Sequence, residues 1–216
     1  MNLLEKFENL LKSKYIFHLH TNYTDGVNSV EEYCSWASEN GYNAIVFTEH
    51  VRKNLSYDFY SFLSDIENAR QKFANMDIWI GIEAKILPNG DLDIPDKILP
   101  EIQVICFACH SFPKDIGLYE KSFKTVFSDN RWKSHIRVWV HPGHFLKRLG
   151  VMDDYLHLLS RLVSCALRED VFIEHNLKYE LPPMSIMKNI PESKLVRGLD
   201  AHSVESMAKI AGKGNK

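Results

Sequence analysis

Two histidines stand at alternate positions in FHLHTNYTDG, the stretch that begins at Phe17. On a β-strand, side chains two apart face the same way, so His18 and His20 should aim both imidazoles at one spot. Asp25 follows within the same stretch. An H-x-H pair alone fits a solvated strand face as well as a binding site, so the decision rests on what the rest of the chain carries. NAIVFTEH ends in His50, DIWIGIE in Glu83, QVICFACH in His110 and IRVWVH in His141, while LVRGLD ends in Asp200 with His202 just beyond. Histidines kept only for packing would not favour the ends of so many apolar runs. Imidazole and carboxylate together suit Zn²⁺, Mn²⁺ or Fe better than Mg²⁺ or Ca²⁺.

These residues need elements that bring their ends together. Seven runs rich in Ile, Val and aromatics read as strands: YIFHLH (15–20), NAIVFTEH (43–50), DIWIGIE (77–83), QVICFACH (103–110), IRVWVH (136–141), VFIEHN (171–176) and LVRGLD (195–200). Helical stretches separate most of them. In NSVEEYCSWASENG, Ser29 and Glu32 have capping-box spacing and Gly41 is a natural stop. Further helices are expected through YDFYSFLSDIENARQKF, through DDYLHLLSRLVSCALRE and from Ser203 onward. Strands alternating with helices imply βαβ units and a parallel sheet. Seven such units in 216 residues make an economical closed barrel, with all C-terminal strand ends at one face, where barrel enzymes build their sites.

Length and composition set the frame. No linker, repeat or low-complexity segment divides the 216 residues, so one domain over 1–216 is expected. The net charge of −2 argues against a nucleic-acid surface built on overall positive potential. Residues 1–13 read as an amphipathic helix that packs on the domain: Leu3, Leu4, Phe7, Leu10 and Leu11 share one face, and Glu5, Lys6 and Glu8 rule out a signal-peptide core. No apolar run is long enough to span a bilayer, and a cytoplasmic protein is expected. Cys106 and Cys109 form C-x-x-C inside a strand-like run, where their sulfurs face opposite ways; buried free thiols are the reading.

The motifs HLHTNYTDG, FTEH, the glutamate of GIE, the histidine of CHSF, HPG and GLDAH occur in the order found in the polymerase and histidinol phosphatase (PHP) family, which the chain resembles from His18 to His202. The resemblance implies a distorted seven-stranded TIM-like (β/α)7 barrel with two or three divalent metal ions, mostly used for phosphoester hydrolysis. By motif, His18, His20, Glu83 and Asp200 would hold the first metal. Glu83 would bridge to a second with His110 and His141, and Asp25, His50 and His202 would hold a third. Phe17 and Leu199 depart from the family pattern at positions that are not ligands. In IEHN, Glu174 and His175 point opposite ways and neither joins the ligand set.

Adjacent ions sharing a carboxylate can hold a bridging hydroxide at neutral pH and clamp a phosphoryl group. Glu83 and Asp25 are therefore catalytic candidates. The proton for the leaving group has two sources, a metal-bound water or Asp25. Arg52 is the first choice to grip phosphate oxygens because an arginine fork suits them, with a solvated loop charge as the competing reading. Lys53, Lys85 and Arg197 are weaker candidates, and His144 is a pocket candidate. The expected activity is a phosphomonoesterase acting on a small phosphorylated metabolite. The alternatives are a phosphodiesterase or nuclease, a phosphotyrosine-protein phosphatase, or a non-enzymatic metal-binding domain. The nuclease reading calls for a basic groove with aromatics for stacking bases, and the sequence shows no clear one; Arg131 and Trp132, extended by Lys133 and Arg137, are the best local candidate.

Overall fold

The alternating pattern folds as expected into βα units. The computed structural model describes residues 1–213, so the last three positions of the expected domain lie outside the described residues. The strands are β1 (Tyr15–Leu19), β2 (Ala44–Val51), β3 (Asp77–Lys85), β4 (Val104–Ala108), β5 (Ile136–Trp139), β6 (Phe172–Asn176) and β7 (Leu195–Gly198). All pair in parallel in the order β1 to β7. Backbone bonds from Leu199 N–H to Phe17 O (3.0 Å) and from Ala201 N–H to His18 O (3.1 Å) bring the last strand back to the first. The result is a single α/β domain, a nearly closed seven-stranded barrel of TIM-like form.

The helices are α1 (Leu3–Leu11), α2 (Val30–Glu39), α3 (Phe59–Lys72), α4 (Ile116–Ser128), α5 (His144–Leu149), α6 (Leu156–Arg168), α7 (Met184–Met187) and α8 (Val204–Lys213). Ser29 caps α2 through the expected reciprocal bonds with Glu32. The helix α4, which the sequence reading did not mark, is capped by Asp115 and buries Tyr119, Phe123, Val126 and Phe127. Among the described residues no helix is long and apolar enough to cross a membrane.

Strand alternation divides the core into two layers. Ile45 and Phe47 face the helices, whereas Val46, Trp79, Cys106, Val138 and Val196 fill the barrel interior. Cys106 lies in the inner layer and Cys109 in the outer, both free and buried, as their spacing implies. The amphipathic α1 packs on the inner layer: Phe7 is fully buried and meets Trp79 and Phe172 edge to face at 5.7 and 5.1 Å between centroids. It thus extends the interior core with an aromatic anchor whose burial contributes about 2–3 kcal/mol.

Candidate metal centre

Above the apolar inner layer the same alternation turns polar. Continuing inward from Val46 leads to His50, from Trp79 to Glu83, and from Cys106 to His110. Two histidines do not arrive by plain alternation. Phe17 already faces inward, so His18 should face out; instead β1 shifts register between Phe17 and Leu19, and His18 takes a left-handed φ of 71°. The convergence of His18 and His20 holds, but its cause is this bulge rather than a regular strand. His141 (φ 33°), just beyond β5, and Asp200 (φ 48°), just beyond β7, share the left-handed conformation. Each such position costs about 1–3 kcal/mol in a non-glycine residue, and three of them fall within one site.

Glu83 is the hub. It is buried, and its Oε2 lies 3.6 Å from His18 Nε2, 3.3 Å from His20 Nε2 and 3.1 Å from His50 Nδ1. Its Oε1 lies 2.9 Å from His141 Nε2 and 3.1 Å from His110 Nε2. Beyond it, Asp200 Oδ1 is 4.0 Å from His20 Nε2, and Asp25 Oδ2 is 3.4 Å from both His50 Nε2 and His202 Nε2. All nine residues singled out in the sequence as ligands therefore meet in one cluster. Four groups have donor atoms near enough to share an ion: His18, His20 and Glu83; His18, His141 and Asp200; Glu83, His110 and His141; and His20, His50 and His202. The cluster could hold several metal ions.

The donors fit that role. Among the described residues nine buried side-chain nitrogens or oxygens lack a hydrogen-bond partner, and five belong here: His18 Nε2, both ring nitrogens of His20, His50 Nδ1 and Glu83 Oε2. His18, His20 and Glu83 each bring one donor atom within 4.8 Å of the others, as an ion shared among them requires. Leaving a buried polar atom unsatisfied costs about 1–3 kcal/mol, a cost that coordination removes.

The electrostatics agree. Burial favours a neutral Glu83, yet the surrounding His141, His18 and His50 hold its carboxyl well below the usual range. Burial also works against a charged His50, but the neighbouring carboxylates of Asp25 and Glu83 outweigh it and raise the imidazole to about 9. Burial pulls His20 well down, aided by neighbouring His50, and brings His110 to about 4. For Asp25 the hydrogen bond from His50 dominates and lowers the carboxyl to about 2.

Outer groups fix these side chains. Glu174, fully buried, sits 2.5 Å from His18 Nδ1 through Oε1, and its Oε2 accepts His141 N–H at 2.5 Å and Asn176 Nδ2 at 3.0 Å. It is the inward residue of IEHN, outside the direct ligand set but tied to two of its members; His175 is only partly buried. Gly198 makes room for it, since a Cβ there would lie 1.8 Å from Glu174 Oε1. Glu49, also buried, accepts Thr21 N–H at 2.7 Å and Thr24 Oγ1–H at 2.5 Å, bracing the loop that presents Asp25. Gly26 lets that loop close, because a Cβ would lie 2.0 Å from His20 O.

Basic residues are arranged differently from the sequence expectation. Arg52 donates to Val51 O at 2.6 Å and faces Asp93 at 3.9 Å. Lys178, unmarked in the sequence, donates to Asp200 O at 3.0 Å and Oδ1 at 3.1 Å. His144 lies beside the cluster, 5.2 Å from His141 between ring centroids, and stacks on Tyr179 at 4.5 Å. The best local candidate for base stacking, Arg131 and Trp132, is not offered to a nucleic acid: Trp132 is buried, and Arg131 pairs with Asp129 and Asp91. Burial won because Trp132 is needed in the outer core.

A parallel seven-stranded barrel whose mouth gathers six imidazoles and three carboxylates defines the class, an α/β barrel whose mouth could hold several metal ions. The chain belongs to the PHP domain family, which it matches over residues 17–181. It is 26% identical over 201 residues to the DNA polymerase/3'-5' exonuclease PolX of Bacillus subtilis strain 168, an alignment covering 88% of this chain and 34% of that protein. It is 25% identical over 171 residues to a probable phosphatase of Clostridium acetobutylicum, covering 76% of this chain and 65% of that one. The chain thus spans about a third of the first relative and just under two thirds of the second. Among solved structures it is similar to histidinol phosphate phosphatase from Lactococcus lactis subsp. lactis in complex with Zn, L-histidinol and phosphate, with a TM-score of 0.60, 13% identity and 93% of each chain covered. At that identity the likeness carries the fold.

Proposed function

We propose that this chain is a metal-dependent phosphoesterase, and within that class a phosphomonoesterase acting on a small phosphorylated metabolite. The observation that carries the reading is Glu83, whose two oxygens serve two separate sets of imidazole nitrogens. In this reading His18, His20, Glu83 and Asp200 hold one ion, Glu83, His110 and His141 a second, and Asp25, His50 and His202 a third. When bound, the ions supply charge neutralisation for a phosphoryl group and an activated water at neutral pH.

The residues contribute in distinct ways. Glu83 stays ionised in a buried setting, so both oxygens remain donors. Asp25, half exposed at the rim and held at about 2, is a carboxylate at neutral pH, suited to hold a cation rather than to donate a proton. Arg52 faces Asp93 at 3.9 Å, so a phosphoryl oxygen would compete with that carboxylate for it.

The names of the relatives support this class: one is a probable phosphatase, and the Lactococcus structure carries phosphate beside zinc. The exonuclease in the name of the Bacillus relative motivates a phosphodiesterase reading, which the buried Trp132 and the acid-paired Arg131 disfavour here. The test is a screen of zinc- and manganese-reconstituted protein on phosphorylated metabolites, a phosphodiester and a phosphotyrosine peptide. Metal-dependent turnover of a small monoester at the highest kcat/KM is expected. Preference for the diester would move the protein to the nuclease reading, and no turnover of any member would reject the enzyme.

A further inference from the structure

The turn after β6 places a lysine against the metal-side carboxylate, and that placement has a chemical consequence. Lys178 Nζ lies 3.0 Å from Asp200 O, 3.1 Å from Asp200 Oδ1 and 3.5 Å from His202 Nδ1. The turn that carries it is fastened: Leu177 N–H donates to Gly198 O at 2.9 Å and Tyr179 N–H to the buried Asn176 Oδ1 at 2.9 Å. Tyr179 in turn stacks on His144. The ammonium is thus held at the rim, its side chain 34% exposed, beside the residues that could hold an ion.

Asp200 Oδ1 also lies near His20 and His202, within the ligand cluster. A divalent cation sharing that oxygen would leave positive charge on both sides of one carboxylate, and an anion bound at the ion would therefore also attract the ammonium. We propose that Lys178 is a substrate-binding residue that pairs with the non-bridging oxygens of a phosphomonoester dianion, and so selects monoesters over singly charged diesters. The inference rests on the phosphoesterase reading of the same site. It names a cation that neither the motif pattern nor the arginines near the strand ends identify.

The experiment compares zinc-reconstituted wild type, Lys178→Met and Lys178→Arg. Metal content and circular dichroism are measured first, then inorganic phosphate binding by calorimetry, then kcat/KM on p-nitrophenyl phosphate and bis-p-nitrophenyl phosphate. Lys178→Met is expected to keep full zinc content and weaken phosphate binding about tenfold. Its monoester-to-diester preference should fall by a similar factor, and Lys178→Arg should recover most of both. Phosphate affinity unchanged in Lys178→Met, or zinc lost from it in proportion to phosphate, would overturn the proposal and leave Lys178 as a brace for Asp200. Wild type that binds no phosphate overturns it too. Wild type that binds phosphate in a Lys178-dependent way yet turns over no ester supports the binding role while rejecting the phosphoesterase reading.

Discussion

Glu174→Gln tests the outer support of the metal centre with a change of one atom. The carboxylate faces three groups: His18 Nδ1 on Oε1, and His141 N–H with Asn176 Nδ2 on Oε2. Glutamine offers one acceptor and one NH₂. With the NH₂ toward His141 and Asn176, two buried donors face a third donor. With it toward His18, the imidazole must accept at Nδ1 and carry its proton on Nε2, the nitrogen aimed at Glu83 and the metal position. Either orientation leaves buried donors unsatisfied or forces the wrong tautomer, at about 1–3 kcal/mol, which is about 5- to 150-fold in zinc affinity. Loss of an outer partner of a metal-bound histidine falls in the same range, about 10–100-fold. The assay is competition for zinc with a chromogenic chelator at pH 7.5, with circular dichroism to confirm the fold. Zinc affinity within about twofold of wild type in a folded variant would refute the reasoning, because no orientation of the amide satisfies all three partners and also leaves His18 Nε2 unprotonated.

Glu83→Ala should lower the phosphatase rate by more than the roughly 10–100-fold of an outer-partner loss and reduce metal content, with the circular dichroism of the fold retained; near-normal activity with a full metal complement contradicts the bridging role. In the metal-free protein His50 is raised to about 9, so its attraction to Asp25 and Glu83 stabilises the fold fully below its unfolded value near 6.5, and that contribution is lost as the pH rises through about 9. A metal competes with this proton, so zinc affinity should climb from about pH 6.5 to 9 with proton release, read by calorimetry in buffers of different ionisation enthalpy; a flat profile opposes it. Phe7→Ala removes a fully buried ring from the inner core and should cost about 3–5 kcal/mol in urea or thermal unfolding; a loss under about 1 kcal/mol would mean that α1 does not anchor the barrel.

Much of this was legible because chemistry and topology coincide. Each apolar run is long enough to read as a strand, and its polar terminus lands on one rim in a parallel barrel. His50, Glu83 and His110 follow from alternation alone. What was not legible depends on backbone and tertiary detail. The bulge at His18 and the left-handed turns at His141 and Asp200 leave no periodic trace. Glu174 could be seen to alternate with His175, but the two cluster histidines it holds lie 156 and 33 residues away along the chain. Lys178 was invisible as a site residue because its neighbour Asp200 comes from a different strand end, and Trp132 looked like a stacking surface because burial cannot be read from a local basic and aromatic cluster.

Stoichiometric metal titration of the chelated protein tests the central claim most directly, with rate on a phosphomonoester read at each addition. A carboxylate-bridged pair acts as a unit, so the rate should stay near zero through the first equivalent of zinc or manganese and rise with the second. Full activity at one equivalent, or activity unaffected by chelation, would contradict a centre organised around Glu83.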